Sequence, residues 1–301
     1  MYRNDGFVMI KTTIMSLRDP FVLVDKNVYY LYGTDASVDW DEGTDYACYK
    51  NVSGRLDGEW VKLPPVAKLP ETAVQSKWAP EVYAYQGAYY MFASYMSSET
   101  KLRGCAVLRA NSPEGPFTEI SNGHITPRDW SAIDGTLYID EDGQPWMVFV
   151  HEWVSTDDHV GRMVVAKLSA DLSQLISEPK EIFRADAPGW ARDRVTDGCF
   201  LRHVNDEVIM IWSNFDQDGY CVGVARSKNG KIDGEWIQEE NLLYSKRIGG
   251  EDGGHGMIFE SLDGGLYLSL HSPNTPTDEI KERVVFVPVV EENGSLRCII
   301  G

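Results

Sequence analysis

The feature that most constrains this chain is a unit that occurs five times. Each copy sets a polar residue ahead of a short apolar strand, turns on Asn, Asp or Gly, and returns along an aromatic-rich strand. The copies read "RDPFVLVDKNVYYLYGT", "APEVYAYQGAYYMFAS", "DGTLYIDEDGQPWMVFVH", "DGCFLRHVNDEVIMIWS" and "GHGMIFESLDGGLYLSLHS". Alternating β-branched and aromatic residues bounded by such turns make a β-hairpin. After every hairpin come an apolar strand, a polar turn and another short strand, as in "DYACYKNVSGRLDGEWVKL" and "YCVGVARSKNGKIDGEWIQ". Helical periodicity is scarce, so the chain reads as all-β.

Four-stranded modules repeated at this interval predict a five-bladed β-propeller with four antiparallel strands per blade. The blades start near Asp19, Glu81, Asp134, Asp197 and His255, separated by 62, 53, 63 and 58 residues. The fifth module brings its own fourth strand over Leu296 to Ile300, which leaves residues 1–17 over. No linker rich in Pro, Gly or Ser interrupts the sequence, so residues 1–301 read as a single domain.

The first strand of each blade lines the channel of a propeller, so the five starting residues converge on one end of the axis. Four carboxylates and a histidine are thereby drawn into one funnel. Crowding and burial raise carboxyl pKa values, so one group keeps its proton while another is ionised. That is the arrangement of general acid and base chemistry, and glycoside hydrolysis is the commonest reaction built on two opposed carboxyl groups. A hard cation such as Ca²⁺ is the rival use of the cluster, whereas a single histidine does not suit zinc or iron.

Composition excludes other functions. A formal charge of −18, from 46 acidic and 28 basic residues, argues against nucleic acid and anionic membranes as partners. The five cysteines are widely spaced, without a C-x-x-C pair, and read as buried small hydrophobes. No apolar run approaches the roughly 18 residues of a membrane span, and the N-terminus lacks the pattern of a signal peptide. As written the chain reads as cytoplasmic, or as secreted or periplasmic if a leader has been removed.

In order along the chain, "RDPF" (Arg18 to Phe21), "WAPE" (Trp78 to Glu81), "AIDGTLY" (Ala132 to Tyr138), "TDGCF" (Thr196 to Phe200) and "GGHG" (Gly253 to Gly256) resemble the successive blade motifs of glycoside hydrolase family 43. The resemblance extends from about Arg18 to about Val290. It implies a five-bladed propeller that hydrolyses arabinosides, xylosides or galactans with inversion. By the same resemblance Asp19 is the general base, Asp134 orients the acid and raises its pKa, and His255 is the axial histidine that contacts a water or a metal ion.

Asp197 occupies the place of the general acid, where the family pattern is "EGP" and this chain has "DGC". Aspartate sets its carboxyl back by roughly 1.5 Å, one C–C bond length. Glu81 and Glu152 are the alternative proton donors. For substrate contact the candidates are Trp40, Trp78, Trp130, Trp153 and Trp190 as aromatic platforms, with His255, Arg283 and Glu152 as polar groups. Trp60, Trp146, Trp212 and Trp236 read as packing, and His151 and His271 as structural histidines.

The sequence therefore points to an inverting, exo-acting glycoside hydrolase on small plant-type oligosaccharides, foremost an α-L-arabinofuranosidase. β-Galactofuranosidase, β-galactosidase and β-xylosidase activities are alternatives, as is a non-catalytic carbohydrate-binding propeller. No cofactor is required, and Ca²⁺ or another ion at the axis is compatible with the carboxylate cluster.

Overall fold

In the computed structural model, residues 8–37, 41–43, 45–205, 207–292 and 294–300 are described. The strands are β1 (Ile10–Met15), β2 (Leu17–Asp25), β3 (Val28–Asp35), β4 (Tyr46–Asn51), β5 (Val61–Lys62), β6 (Ala67–Lys68), β7 (Ala73–Tyr85), β8 (Ala88–Ser97), β9 (Arg103–Ala110), β10 (Phe117–Glu119) and β11 (Ala132–Ile139). They continue with β12 (Pro145–His151), β13 (Arg162–Lys167), β14 (Lys180–Arg184), β15 (Asp197–Val204), β16 (Glu207–Asp216), β17 (Gly219–Ser227), β18 (Trp236–Gln238), β19 (Gly254–Glu260), β20 (Leu266–Ser272), β21 (Arg283–Glu292) and β22 (Ser295–Cys298). One helical turn, α1 (Lys246–Gly249), lies between the fourth and fifth blades.

These strands form five sheets, one per repeat. β2–β5, β11–β14 and β15–β18 are antiparallel meanders of four, and β7–β10 is a fourth, with β6 added in parallel to its outer strand. The inner strands β2, β7, β11, β15 and β19 each touch the next around a closed ring. Because the blades stack face to face, their middle strands are covered on both sides. β12 is buried along its whole length, which is why "PWMVFVH" reads as a continuous apolar run. The apolar layers lie between blades. One joins Val148 and Val150 of the third blade to Leu201 and Met210 of the fourth, and another joins Ile211 and Val224 of the fourth to Leu268 and Val285 of the fifth.

The fifth blade is closed from both ends of the chain. β22 pairs with the Val289–Glu292 end of β21, as the sequence suggests. β1, in the leader that the repeat pattern leaves unassigned, pairs with the other end of the same strand, Ile10 opposite Phe286 and Met15 opposite Arg283. It then passes through Ser16 directly into β2, so the first and last blades are tied together by one continuous segment. The tryptophans of the two "DGEW" turns have matching structural roles. Trp60 and Trp236 each donate their indole N–H to a carbonyl four residues earlier, that of Leu56 and that of Ile232. All five cysteines are buried free thiols.

Candidate active site

Every inner strand carries a bulge at its head. Pairing with the second strand shifts register between Arg18 and Phe21, Trp78 and Glu81, Ile133 and Thr136, Asp197 and Phe200, and Gly254 and Met257. The residue that follows the first of each pair is left-handed: Asp19 at φ 54°, Ala79 at 45°, Asp134 at 56°, Gly198 at 49° and His255 at 45°. Four of the five are not glycine, at a cost on the order of 1–3 kcal/mol each. A bulge re-aims a side chain out of the sheet plane, and here it turns Asp19, Asp134 and His255 toward the funnel.

This register corrects the repeat alignment. Asp19, Asp134 and His255 are structurally equivalent, but their counterparts are Ala79 and Gly198. Asp197 stands one residue before the equivalent position and Glu81 two residues past it.

The funnel holds a cavity of about 340 Å³ lined by Asp19, Asp134, Asp197 and His255, with Arg18, Asp41, Trp78, Arg103, Glu152, Trp153 and Tyr220 among its walls. The Asp19 side chain is only 11% exposed. Its Oδ2 accepts the Thr34 hydroxyl at 2.6 Å, and its Oδ1 lies 3.2 Å from His255 Nδ1 and 3.6 Å from His271 Nδ1. Burial acts to raise this carboxyl, but His255, His271, Arg18 and the Thr34 hydrogen bond outweigh it and hold Asp19 below the ordinary range.

Asp134 is buried between its neighbours. Its Oδ2 accepts the Gly198 amide at 3.0 Å and lies 3.8 Å from His255 Nδ1. Burial and the charge of Asp19 push it well above the ordinary range, against the pull of that amide. Asp197 accepts the Tyr220 hydroxyl on Oδ2 at 3.0 Å. Burial, and after it the charge of Asp134, push Asp197 up to about 8, although His255 and Tyr220 oppose the shift. Within one cavity, Asp19 is ionised at neutral pH while Asp197 keeps a proton.

The other proposed donors are engaged elsewhere. Glu152 is gripped by both ends of the Arg103 guanidinium, at 2.8 and 2.9 Å, and accepts the Ser131 hydroxyl at 2.6 Å. Such a fork holds a carboxylate as an acceptor. Glu81 is not among the cavity walls. Burial pushes it up to about 8, and it sits in a buried chain with Tyr83 and Thr136, whose hydroxyl reaches the Cys199 carbonyl at 2.6 Å.

Of the aromatic candidates, Trp78 and Trp153 line the cavity. The Arg103 guanidinium lies 4.9 Å from the Trp78 ring centre, so Trp78, Arg103 and Glu152 form one braced wall. Trp130 instead stacks flat on His151, at 3.9 Å and 4°, outside the cavity walls. Trp190 donates to the Glu239 carbonyl and packs on Trp212. Trp40 lies outside the described residues. Arg283 pairs with Glu251 at 3.2 Å and does not line the cavity.

His255 Nδ1 faces the carboxylates, and among the described residues no group of three or more His, Cys, Asp or Glu is arranged to hold a metal ion. Arg18, Asp41, Arg103 and Tyr220 are cavity residues that the sequence reading missed. Arg18 sits inside the quoted "RDPF" motif, whereas Arg103 and Tyr220 come from third strands that carry no motif.

A five-bladed propeller with a funnel of aspartates in opposite protonation states defines a class of carbohydrate-active proteins. The profile described as Glycosyl hydrolases family 43 matches residues 12–291, and the chain belongs to that family. It is 35% identical to a structure titled endo-arabinase from Bacteroides thetaiotaomicron, with a TM-score of 0.82, covering 97% of this chain and 100% of that one. It is 27% identical over 177 residues to the extracellular exo-α-(1→5)-L-arabinofuranosidase of Cellvibrio japonicus, covering 56% of this chain and 47% of that protein. It is 24% identical over 266 residues to the extracellular endo-α-(1→5)-L-arabinanase of Thermotoga petrophila, covering 77% and 54%. The chain spans about half the length of these two curated relatives. No helix among the described residues is long and apolar enough to cross a membrane.

Proposed function

We propose that the chain is an inverting glycoside hydrolase that removes terminal α-L-arabinofuranosyl residues from small plant-type oligosaccharides. The arrangement that carries this reading is Asp19, Asp134 and Asp197 on one cavity, with Asp19 held by His255 and the Thr34 hydroxyl and Asp197 buried against the Tyr220 hydroxyl. Ionised Asp19 takes a proton from a water as its oxygen attacks the anomeric carbon. Asp197 gives its proton to the departing glycosidic oxygen, so the C–O bond breaks without charge building on the leaving group. Asp134, held by the Gly198 amide, disfavours ionisation of Asp197 beside it, so that of the two carboxyls at least one keeps a proton. Tyr220 orients the Asp197 carboxyl by occupying one oxygen, which leaves the other to carry the transferable proton.

The cavity volume of about 340 Å³ is at the low end of small-molecule sites, roughly 300–1,000 Å³, and suits one or two sugar residues. That supports exo action. The resemblance to a structure titled endo-arabinase supports a second reading, internal cleavage of the same linkage. The acid-ready Asp197 weighs against a carbohydrate-binding propeller without catalysis.

The test is turnover of aryl α-L-arabinofuranoside, β-D-galactofuranoside, β-D-galactoside and β-D-xyloside, together with linear α-1,5-arabino-oligosaccharides. The proposal expects arabinofuranoside hydrolysis, arabinose from the first turnover of the oligosaccharides together with the chain shortened by one residue, and loss of both in Asp19→Asn. Early release of di- and trisaccharides from longer chains without accompanying free arabinose establishes the endo reading instead. Sugar binding without turnover on any substrate overturns the enzymatic one.

A further inference from the structure

The left-handed residue at the head of each inner strand points its amide at the preceding blade. In four blades that amide is caught by the same side-chain position on the preceding blade's second strand. Ala79 N–H donates to Thr34 Oγ1 at 2.8 Å, Asp134 N–H to Ser94 Oγ at 3.0 Å, His255 N–H to Ser213 Oγ at 2.9 Å, and Asp19 N–H to His271 Nδ1 at 3.2 Å. The four acceptors sit opposite Arg18, Trp78, Asp197 and Gly254 in their own hairpins. The corresponding residue of the third blade, opposite Ile133, is Val150.

Val150 is fully buried in the layer between the third and fourth blades and has no acceptor. The amide that this position would receive is that of Gly198, and it is the Gly198 amide that binds Asp134 Oδ2. A buried N–H needs a partner, so removing the usual one transfers it to whatever acceptor lies closest. We infer that Val150 is a positioning residue, which by failing to accept the Gly198 amide assigns that amide to the Asp134 carboxylate and fixes Asp134 between Asp19 and Asp197. Its catalytic consequence rests on the function proposed above; its structural content does not.

Two substitutions separate this role from simple packing. Val150→Thr keeps the shape and restores the hydroxyl that the other blades use, whereas Val150→Ala opens a hole without adding an acceptor. A packing role makes Val150→Ala the worse variant in both Tm and kcat. A positioning role reverses the order for kcat: Val150→Thr falls about 10- to 100-fold, with KM changed less than kcat, while Val150→Ala loses more Tm and less kcat. A crystal structure of Val150→Thr supplies an arm independent of turnover, in which the Gly198 amide binds the new hydroxyl and the Asp134 carboxylate has rotated away. An amide still on Asp134 in that variant, or a kcat loss that follows the Tm loss across both variants, overturns the inference. If the unmodified chain hydrolyses none of the glycosides, the functional reading fails, and the crystallographic arm alone decides the role of Val150.

Discussion

The Tyr220 hydroxyl donates to Asp197 Oδ2 at 3.0 Å while its ring stacks on His271, which in turn accepts the Asp19 amide. One side chain thus braces the acid against a residue that holds the base. A hydrogen bond to the ionised form lowers a carboxyl pKa, so Tyr220→Phe moves Asp197 upward. We expect the basic limb of the kcat/KM profile, near 8 in the parent, to shift to higher pH, with kcat reduced about tenfold by the freer carboxyl. A limb that moves down or stays in place removes Tyr220 from this role.

Asp197→Glu tests whether the site is built around the shorter acid. The longer side chain pushes its carboxyl forward by roughly one bond length, 1.5 Å, into space already set by the Tyr220 hydroxyl. The expected result is a loss of about 10- to 100-fold in kcat with a small change in Tm. A gain in kcat contradicts the account.

Asp197 also couples stability to pH. It holds its proton up to about 8 in the folded chain, against an ordinary value of 3.8. Between these values the folded state binds more protons than the unfolded one, so the stability from this group is complete below 3.8 and lost as pH rises through about 8. Asn is neutral at every pH. Tm of Asp197→Asn should match the parent near pH 3.5 and exceed it by a margin that widens toward pH 8, measured by calorimetry across that range. A margin that narrows with rising pH has the wrong sign.

Gly198 is the one left-handed head where a side chain has no room. A Cβ there lies 2.5 Å from the His255 ring, and φ is +49°. Gly198→Ala is expected to cost about 1–3 kcal/mol in denaturant unfolding and, by displacing the histidine beside Asp19, to abolish most activity. Full activity in this variant shows that His255 does not position the base.

The ring of five blades was legible because every hairpin announces itself twice, by its Asn, Asp or Gly turn and by its aromatic second strand. The exact head of each blade was not. "IDG" and "TDG" invite an alignment of Asp134 with Asp197, yet the bulge puts Asp134 level with Gly198. A signal for the correct register lay in the prolines: aligning Pro20 of "RDPF" with Pro80 of "WAPE" sets Asp19 against Ala79 and moves Glu81 two residues beyond the head. Left-handed geometry at Ala79 has no compositional mark, since it is imposed by the neighbouring blade through Thr34. The Trp78, Arg103 and Glu152 wall was likewise hidden, because its members come from the middle of β7, the start of β9 and the residue after β12, and the contact exists only once two blades meet. The role of β1 was out of reach for a similar reason, as its partner in the sheet, β21, lies at the other end of the chain, Ile10 opposite Phe286.

The central claim is that Asp19 and Asp197 act from opposite faces of the anomeric carbon in one displacement. ¹H NMR of the first sugar released from an aryl α-L-arabinofuranoside, recorded before mutarotation, tests it most directly. The account predicts that β-L-arabinofuranose appears first and the α anomer later. Initial release of the α anomer contradicts it, because retention requires a covalent intermediate that a water-activating Asp19 does not form.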